Sequence, residues 1–576
     1  MDNCQETRVV ETDRHGSARS PSRPYFDTGS HSRLVTTSSP EAQTWFDRGL
    51  TWIYGFNHEE SVICFRRALK NDPKFASAWW GIALASGPFY NLTWDLFGAA
   101  EAREATHTCH EAANMALSLC EAVAPVERLL IEAIAVRFPK GHPVPLHEFE
   151  QWEREYASAM RRVYRQFQSD HDVAALFAEA LMSLTPWKLW NLATGKPAEN
   201  AATQEALDVV ETALGDRKTR GLPDHPGLLH MHLHLLEMSP WPERALSSAD
   251  RLPGMVPDSG HLEHMPCHIH VLCGHYHRAV QCSERSIAAD GRFLEYSGTD
   301  QFYMISICHD FHMMMYAAMM SGRMEPAVRA ANGIRDLLAP ELLNEKRPHL
   351  AAMLEGYLST REHVLVRFGQ WETLVSEGLP EDPELHCVTT AMHHYAKGVA
   401  HASLRQFEPA KRERAELADS VERVPLDRLI FNNRARDILE IGKSMLDGEL
   451  SYSLGHFDEA FDHLRRAAEL DDSLEYSEPW GWMHPPRHAL GALLLEQGRV
   501  EEAAAVYRAD LGYDETLNRS GQHLDNVWSL VGYSECLERQ GRAEELAIVG
   551  QVARRALARA DRPVTSSCYC RRSRTV

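Results

Sequence analysis

A short unit, Gly-x-hydrophobic-x-x-Ala, returns along the chain and limits what it can fold into. It reads Gly274-His-Tyr276-His-Arg-Ala279, Gly322-Arg-Met324-Glu-Pro-Ala327, Gly455-His-Phe457-Asp-Glu-Ala460 and Gly498-Arg-Val500-Glu-Glu-Ala503. Gly541-Arg-Ala543-Glu-Glu-Leu546 repeats it with Leu at the last place, and Gly455, Gly498 and Gly541 stand 43 residues apart. A Gly at this place ends one helix, and the small Ala lets the next helix pack closely against it. A chain of 576 residues is too long for one compact core, and a repeat of this period resolves the problem by stacking.

Apolar or Ala residues at i, i+3, i+4, i+7 predict helices over Glu41–Tyr54, His58–Lys70, Phe75–Ser86, Phe457–Leu470, Val500–Leu511 and Glu544–Leu557. No stretch alternates with period two, so no sheet is expected. The unit resembles the tetratricopeptide repeat family over most of residues 41–560. That resemblance implies an all-α, right-handed superhelical solenoid of helix pairs, curled around a central cavity. The expected organisation is a disordered tail over residues 1–40, N-terminal repeats over 41–224, His-rich central repeats over 225–338, C-terminal repeats over 339–560 and a flexible tail over 561–576.

Composition narrows the function. The formal charge is −21, which disfavours a phosphate-binding surface, so no nucleic acid partner is expected. No apolar run reaches the ~18–20 residues of a membrane span, and the first 40 residues lack the apolar segment of a secretory signal. Twelve scattered Cys suit a reducing compartment, and a cytoplasmic location is expected.

The 31 His are concentrated. In His225-Pro-Gly-Leu-Leu-His230-Met-His232-Leu-His234-Leu-Leu-Glu237, the residues His230, His234 and Glu237 share one helical face. In the next block His261, His264 and His268 share a face, with Pro266 either opening or kinking the helix. In the third, His309 and His312 pair at i, i+3, with Tyr316 one turn on. All three blocks fall on first helices of successive repeats, which lie roughly 10 Å apart and line the concave face. Pairs at this spacing chelate a metal from one side. His230, His234, His264, His268, His309 and His312 are therefore the expected ligands, enough for two ions with three imidazoles each or for one ion with further His around it.

Imidazole-only sets suit copper first, iron second and zinc third; a His-Glu-x-x-His zinc-hydrolase motif is absent, and iron pairs use more carboxylates. The expected function is a metal-dependent oxidoreductase acting on a small organic molecule, with Tyr303, Asp310 and Tyr316 handling protons. The alternative is a non-enzymatic scaffold that grips a protein or peptide in its groove. The blocks His225-Pro-Gly-x-x-His-x-x-x-His and Gly260-His-Leu-x-His-Met-Pro-x-His-Ile, with Tyr54-Gly-Phe-Asn57-His58-Glu-Glu, also resemble a His-rich group of bacterial and fungal tetratricopeptide-repeat proteins. That group implies His-Asn-x-His where this chain has His309-Asp310-Phe-His312, a departure that adds a carboxylate. The group's resemblance supports the layout and carries no reaction.

Overall fold

Small residues set the distance between the helices. The motif alanines Ala279, Ala327, Ala460 and Ala503 are all fully buried. Gly49 and Gly81 sit against the two faces of Phe65, where a Cβ would stand under 3 Å from the ring. Gly455, Gly498 and Gly541 take positive φ (89°, 74° and 68°), which ends each first helix and turns the chain into the second. Each helix then packs mainly on its neighbours in sequence, as a one-dimensional stack requires.

The computed structural model describes residues 24–299, 301–338, 343 and 348–571. It is an all-α solenoid of tetratricopeptide-like helix pairs, running from Pro40–Tyr54 and His58–Asn71 to Val527–Arg539 and Ala543–Leu557. The expected helices appear within one or two residues of their ends. Among the described residues, strand is confined to two short hairpins, Trp190–Asn191 with Lys196–Pro197 and Leu429–Ile430 with Asn433–Arg434. Among the described residues, no helix is long and apolar enough to cross a membrane.

The ends differ from expectation. Residues 1–23 and 572–576 lie outside the described residues, but from Tyr25 onward the supposed N-terminal tail is docked. The Tyr25 hydroxyl donates to Glu60 at 2.9 Å and accepts from the Trp52 indole at 2.8 Å. Arg33 pairs with Asp170 at 2.6 Å and Asp172 at 3.2 Å. At the other end, Arg571 grips both oxygens of Glu535, and Ser567 is fully buried. Low apolar content hid both segments, because they are held by ion pairs and hydrogen bonds.

The distal repeats close on the central ones. Trp528 donates its indole N–H to the Met319 carbonyl at 2.7 Å, Arg519 reaches the Leu272 carbonyl at 2.7 Å, and Asp561 caps the helix at Met324 and Glu325. Sequence periodicity carries no record of such a closure.

Candidate metal centre

Three helices bring the imidazoles together. Pro226 occupies the first turn of helix Pro226–Glu237, and all twelve of its residues are buried. Gly227 has no Cβ to collide with the Tyr54 ring, which would lie 2.5 Å away. That close approach lets His230 Nδ1 reach the Tyr54 carbonyl at 2.7 Å. The second block is split as Pro266 demands: helix Gly260–His264, then Met265 in helical conformation, then Pro266–Leu272. Gly260 leaves room for the Asp290 carboxylate, which a Cβ would overlap. The third helix is Met304–Met320.

The result is two adjacent sets of three His. In the first, His230, His234 and His261 place ligand nitrogens within 4.8 Å of one another; in the second, His264, His268 and His309 do the same. His261 Nε2 lies 3.1 Å from His230 Nε2, His264 Nε2 lies 2.7 Å from His268 Nε2, and His309 Nε2 lies 3.2 Å from His268 Nε2. The sets touch: ring centroids of His234 and His268 are 6.1 Å apart, and those of His261 and His264 are 6.3 Å apart.

Partners behind the rings fix which nitrogens face inward. A carbonyl only accepts, so His230 Nδ1 carries its proton. Glu237 is fully buried and accepts from His234 Nδ1 at 2.8 Å on one oxygen and from His268 Nδ1 at 2.8 Å on the other. One carboxylate thus orients a ring in each set. The Nε2 atoms of His230 and His234 are left as lone pairs, and His234 Nε2 has no partner. Glu478, from the distal repeats, also meets His268 Nδ1. Asp310 Oδ1 lies 3.1 Å from His264 Nδ1, off-line for a hydrogen bond. His230, His234 and His268 thus show the back-bonded arrangement of metal-ligating His, while Nδ1 of His261 and of His264 has no hydrogen-bond partner among the described residues. One cation satisfies three facing lone pairs at once, whereas protons satisfy them only pair by pair.

Four of the six imidazoles are held neutral and able to donate a lone pair, and His268 is the exception. Burial, then the neighbouring imidazoles, hold His261, His264 and His309 well below the usual His range; burial and His234 do the same for His230. Burial would raise Glu237, but His234 and His268 pull it down to about 2. Burial would lower His268, but Glu478 and Glu237 raise it to about 10. Glu478 itself is pushed up to about 7 by burial and by Glu237. The cluster therefore attracts positive charge at the seam between its two sets.

A third trio, His31, Asp172 and His225, shows the contrast. Asp172 Oδ1 takes hydrogen bonds from Tyr54 at 2.6 Å, His31 at 2.9 Å and His225 at 3.1 Å, while Oδ2 takes Arg33. His225 Nδ1 accepts from the Leu228 amide, so its Nε2 carries the proton. Asp172 Oδ1 takes three hydrogen bonds, and an arginine stands where an ion would go.

Five of the six expected ligands, His230, His234, His264, His268 and His309, come together. His312 does not. Its Nε2 lies 3.0 Å from the Met483 sulfur, and its ring stacks on Phe431 at 4.6 Å. At i+3 from His309 it is rotated toward the distal repeats, and His261 takes the sixth place. The sequence did show His261 on the same face as His264 and His268. Of the expected proton-handling residues, Tyr303 and Asp310 stand behind the imidazoles. The Tyr303 hydroxyl accepts from the His261 amide at 3.0 Å, and burial with Asp290 pushes Asp310 well above the carboxylate range. Tyr316 faces away, stacked on Trp480 at 5.1 Å. Phe56 stacks over His234 and His261, and Tyr90 lies 5.0 Å from His234, closing the first set with apolar walls. Asn57 caps its helix, accepting from the Glu60 amide.

Comparison with family models and with curated proteins returns no match. Solved structures with a similar helical course include Cut9 with Hcn1 of the APC/C, at 12% identity over 86% of this chain and 76% of that one, TM-score 0.30. Human IFIT1 with m7Gppp-AAAA matches at 10% identity over 92% of each chain, TM-score 0.30. Naa15/Naa10 bound to HypK-THB matches at 11% identity over 90% and 70%, TM-score 0.21. The helical-solenoid fold rests on the chain's own helix pairs. These likenesses carry no information about the buried histidines.

Proposed function

We propose that the solenoid is a metal-dependent oxidoreductase with two transition-metal ions, copper before iron, held by His230, His234 and His261 and by His264, His268 and His309. The observation that carries the reading is the pair of three-imidazole sets, five of the six rings buried, with His230, His234 and His268 oriented from behind. A redox-active ion pair supplies electron exchange, here for the two-electron oxidation of a small apolar molecule with dioxygen as acceptor. The residues do the rest. Glu237 holds one ring of each set, Glu478 and Asp310 offer protonatable oxygens beside His268 and His264, and Phe56 and Tyr90 exclude water. The likeness of the His blocks to a His-rich group of bacterial and fungal repeat proteins supports the same layout.

The alternative, a scaffold gripping a protein or peptide in its groove, meets a physical obstacle at this place. Every residue of helix Pro226–Glu237 is buried, so no peptide lies along that first helix. A scaffold function therefore requires another face.

The test is metal analysis of protein purified without a His tag, read with an ultraviolet-visible spectrum in air and oxygen-uptake assays on small aromatic and aliphatic substrates. About two ions per chain, lost together in a folded His264→Ala/His268→Ala variant, is the expected result. A metal-free protein that ignores added copper and iron, yet binds a defined peptide tightly, hands the function to the scaffold.

A further inference from the structure

The last described turn of the chain lies against a different, smaller set of ligands. Cys568 and Cys570 are buried and joined as a disulfide. A Glu449 oxygen from helix Ala435–Leu454 lies within 4.8 Å of both sulfurs. Glu449 is 4% exposed, and its Oε1 has no hydrogen-bond partner. A buried carboxylate oxygen without a partner costs roughly 1–3 kcal/mol, so it calls for something to bind.

The surroundings hold this corner rigidly. The Ser567 hydroxyl donates to the His488 carbonyl at 2.7 Å, and the Ser567 carbonyl accepts from Arg367 at 2.5 Å. Arg571 clasps Glu535 on the other side. The Cys570 amide donates to the Cys568 sulfur at 3.1 Å, a contact that favours negative charge on that sulfur. Arg367 adds a second anomaly. It is 1% exposed, it lies over the Trp528 ring at 3.9 Å, and among the described residues no carboxylate is in ion-pair reach of it. A buried cation with no counter-charge is costly unless one forms nearby.

We propose that Cys568, Cys570 and Glu449 form a second, independent metal site that takes one zinc-class divalent ion when the disulfide is reduced. A thiol reductant supplies two electrons and two protons, the sulfur–sulfur bond breaks, and two thiols form. The ion then displaces the thiol protons and is held by two thiolates and one carboxylate oxygen, with the fourth tetrahedral position left to water. Two thiolates and a carboxylate bring three negative charges; the ion and Arg367 bring three positive ones. That state keeps the buried corner neutral, as the Glu449 carboxylate with Arg367 alone does in the oxidised one. Thiolates select zinc here, whereas the imidazole sets do not depend on reduction.

The experiment uses the full chain, reduced with a phosphine and titrated with Zn2+ against a chromophoric chelator. Wild type should show one tight equivalent that appears on reduction and persists in His264→Ala/His268→Ala. Cys568→Ser/Cys570→Ser should lose that equivalent, and Glu449→Gln should weaken it by about 10–100-fold, the scale of altered metal surroundings. Alkylation followed by peptide mass mapping gives a readout without mutation: Zn2+ should protect Cys568 and Cys570 in reduced wild-type protein. Equal zinc content before and after reduction, or alkylation of both Cys unaffected by Zn2+, overturns the proposal.

Discussion

Glu237→Gln is the substitution that most directly examines the imidazole cluster. The carboxylate gives one oxygen to His234 and the other to His268, each at 2.8 Å, and both oxygens accept. Glutamine keeps one acceptor and replaces the other with an NH2 donor. A ring that faces that NH2 without a second acceptor, as His234 does, must accept on Nδ1, so its proton moves to Nε2, the atom that faces its set; His268 Nδ1 also has Glu478. One imidazole is thereby turned from ligand to non-ligand without a change of shape. The lost charge-assisted bond is worth about 1.5–3 kcal/mol. Altering a partner behind a metal ligand costs 10–100-fold in affinity, about 1.4–2.8 kcal/mol, and the two scales agree. One ion should therefore weaken by at least tenfold in a chelator competition, and the metal-to-protein ratio after dialysis should fall toward one. Glu211→Gln is the control, because Glu211 approaches His232 only at 3.6 Å and lies outside the cluster. A folded Glu237→Gln protein that keeps both ions at wild-type affinity would refute the reasoning.

Three further outcomes follow from the geometry. His261→Ala should release one ion while His312→Ala retains both, measured by metal analysis; the reverse would restore His312 to the ligand set. Burial, then Arg137, lowers His58 to about 3 against ~6.5 in the unfolded chain, so the unfolded chain binds the extra proton. The stability His58 contributes is complete above pH ~6.5 and falls as pH drops below it, by about 2 kcal/mol between pH 7 and 5. His58→Gln lacks this loss, so its deficit against wild type should shrink by that amount in denaturant titrations, and a constant deficit would contradict it. Asp172→Asn should leave the 8%-exposed Arg33 with Asp170 alone and loosen the N-terminal strap, at about 1.5–3 kcal/mol for a lost charge-assisted bond. Limited proteolysis should then cut within residues 24–39, and an unchanged digestion pattern would argue against the strap being held there.

The helix pairs were legible because their causes are local. Gly455, Gly498 and Gly541 each end a helix through their own backbone freedom, and Phe457 or Val500 finds its core face through spacing alone. The clustering of the imidazoles was legible for the same reason, since i, i+4 spacing puts His230 and His234 on one face. His312 was misplaced because spacing fixes a face only to within a fraction of a turn, and Met483 with Phe431 took that ring. Nothing local announces Glu478, which reaches His268 across 210 residues of chain, or the Arg33 clasp on Asp172. Both depend on how far the superhelix turns, a property summed over every repeat.

The loop that carries Glu478 and Met483 also sets a clock. The last ligand, His309, leaves the ribosome about 170 residues before Glu478, which at roughly 5–20 residues per second is some ten to thirty seconds. During that interval the six imidazoles are on a growing chain without the distal repeats behind them. Once those repeats dock, Glu478 sits on His268 and Met483 on His312, and both partners are buried. On the proposed two-ion reading, ions that enter before docking would be enclosed by translation itself. Later exchange then proceeds only at the rate at which the repeats part, by the sub-global opening that hydrogen exchange measures.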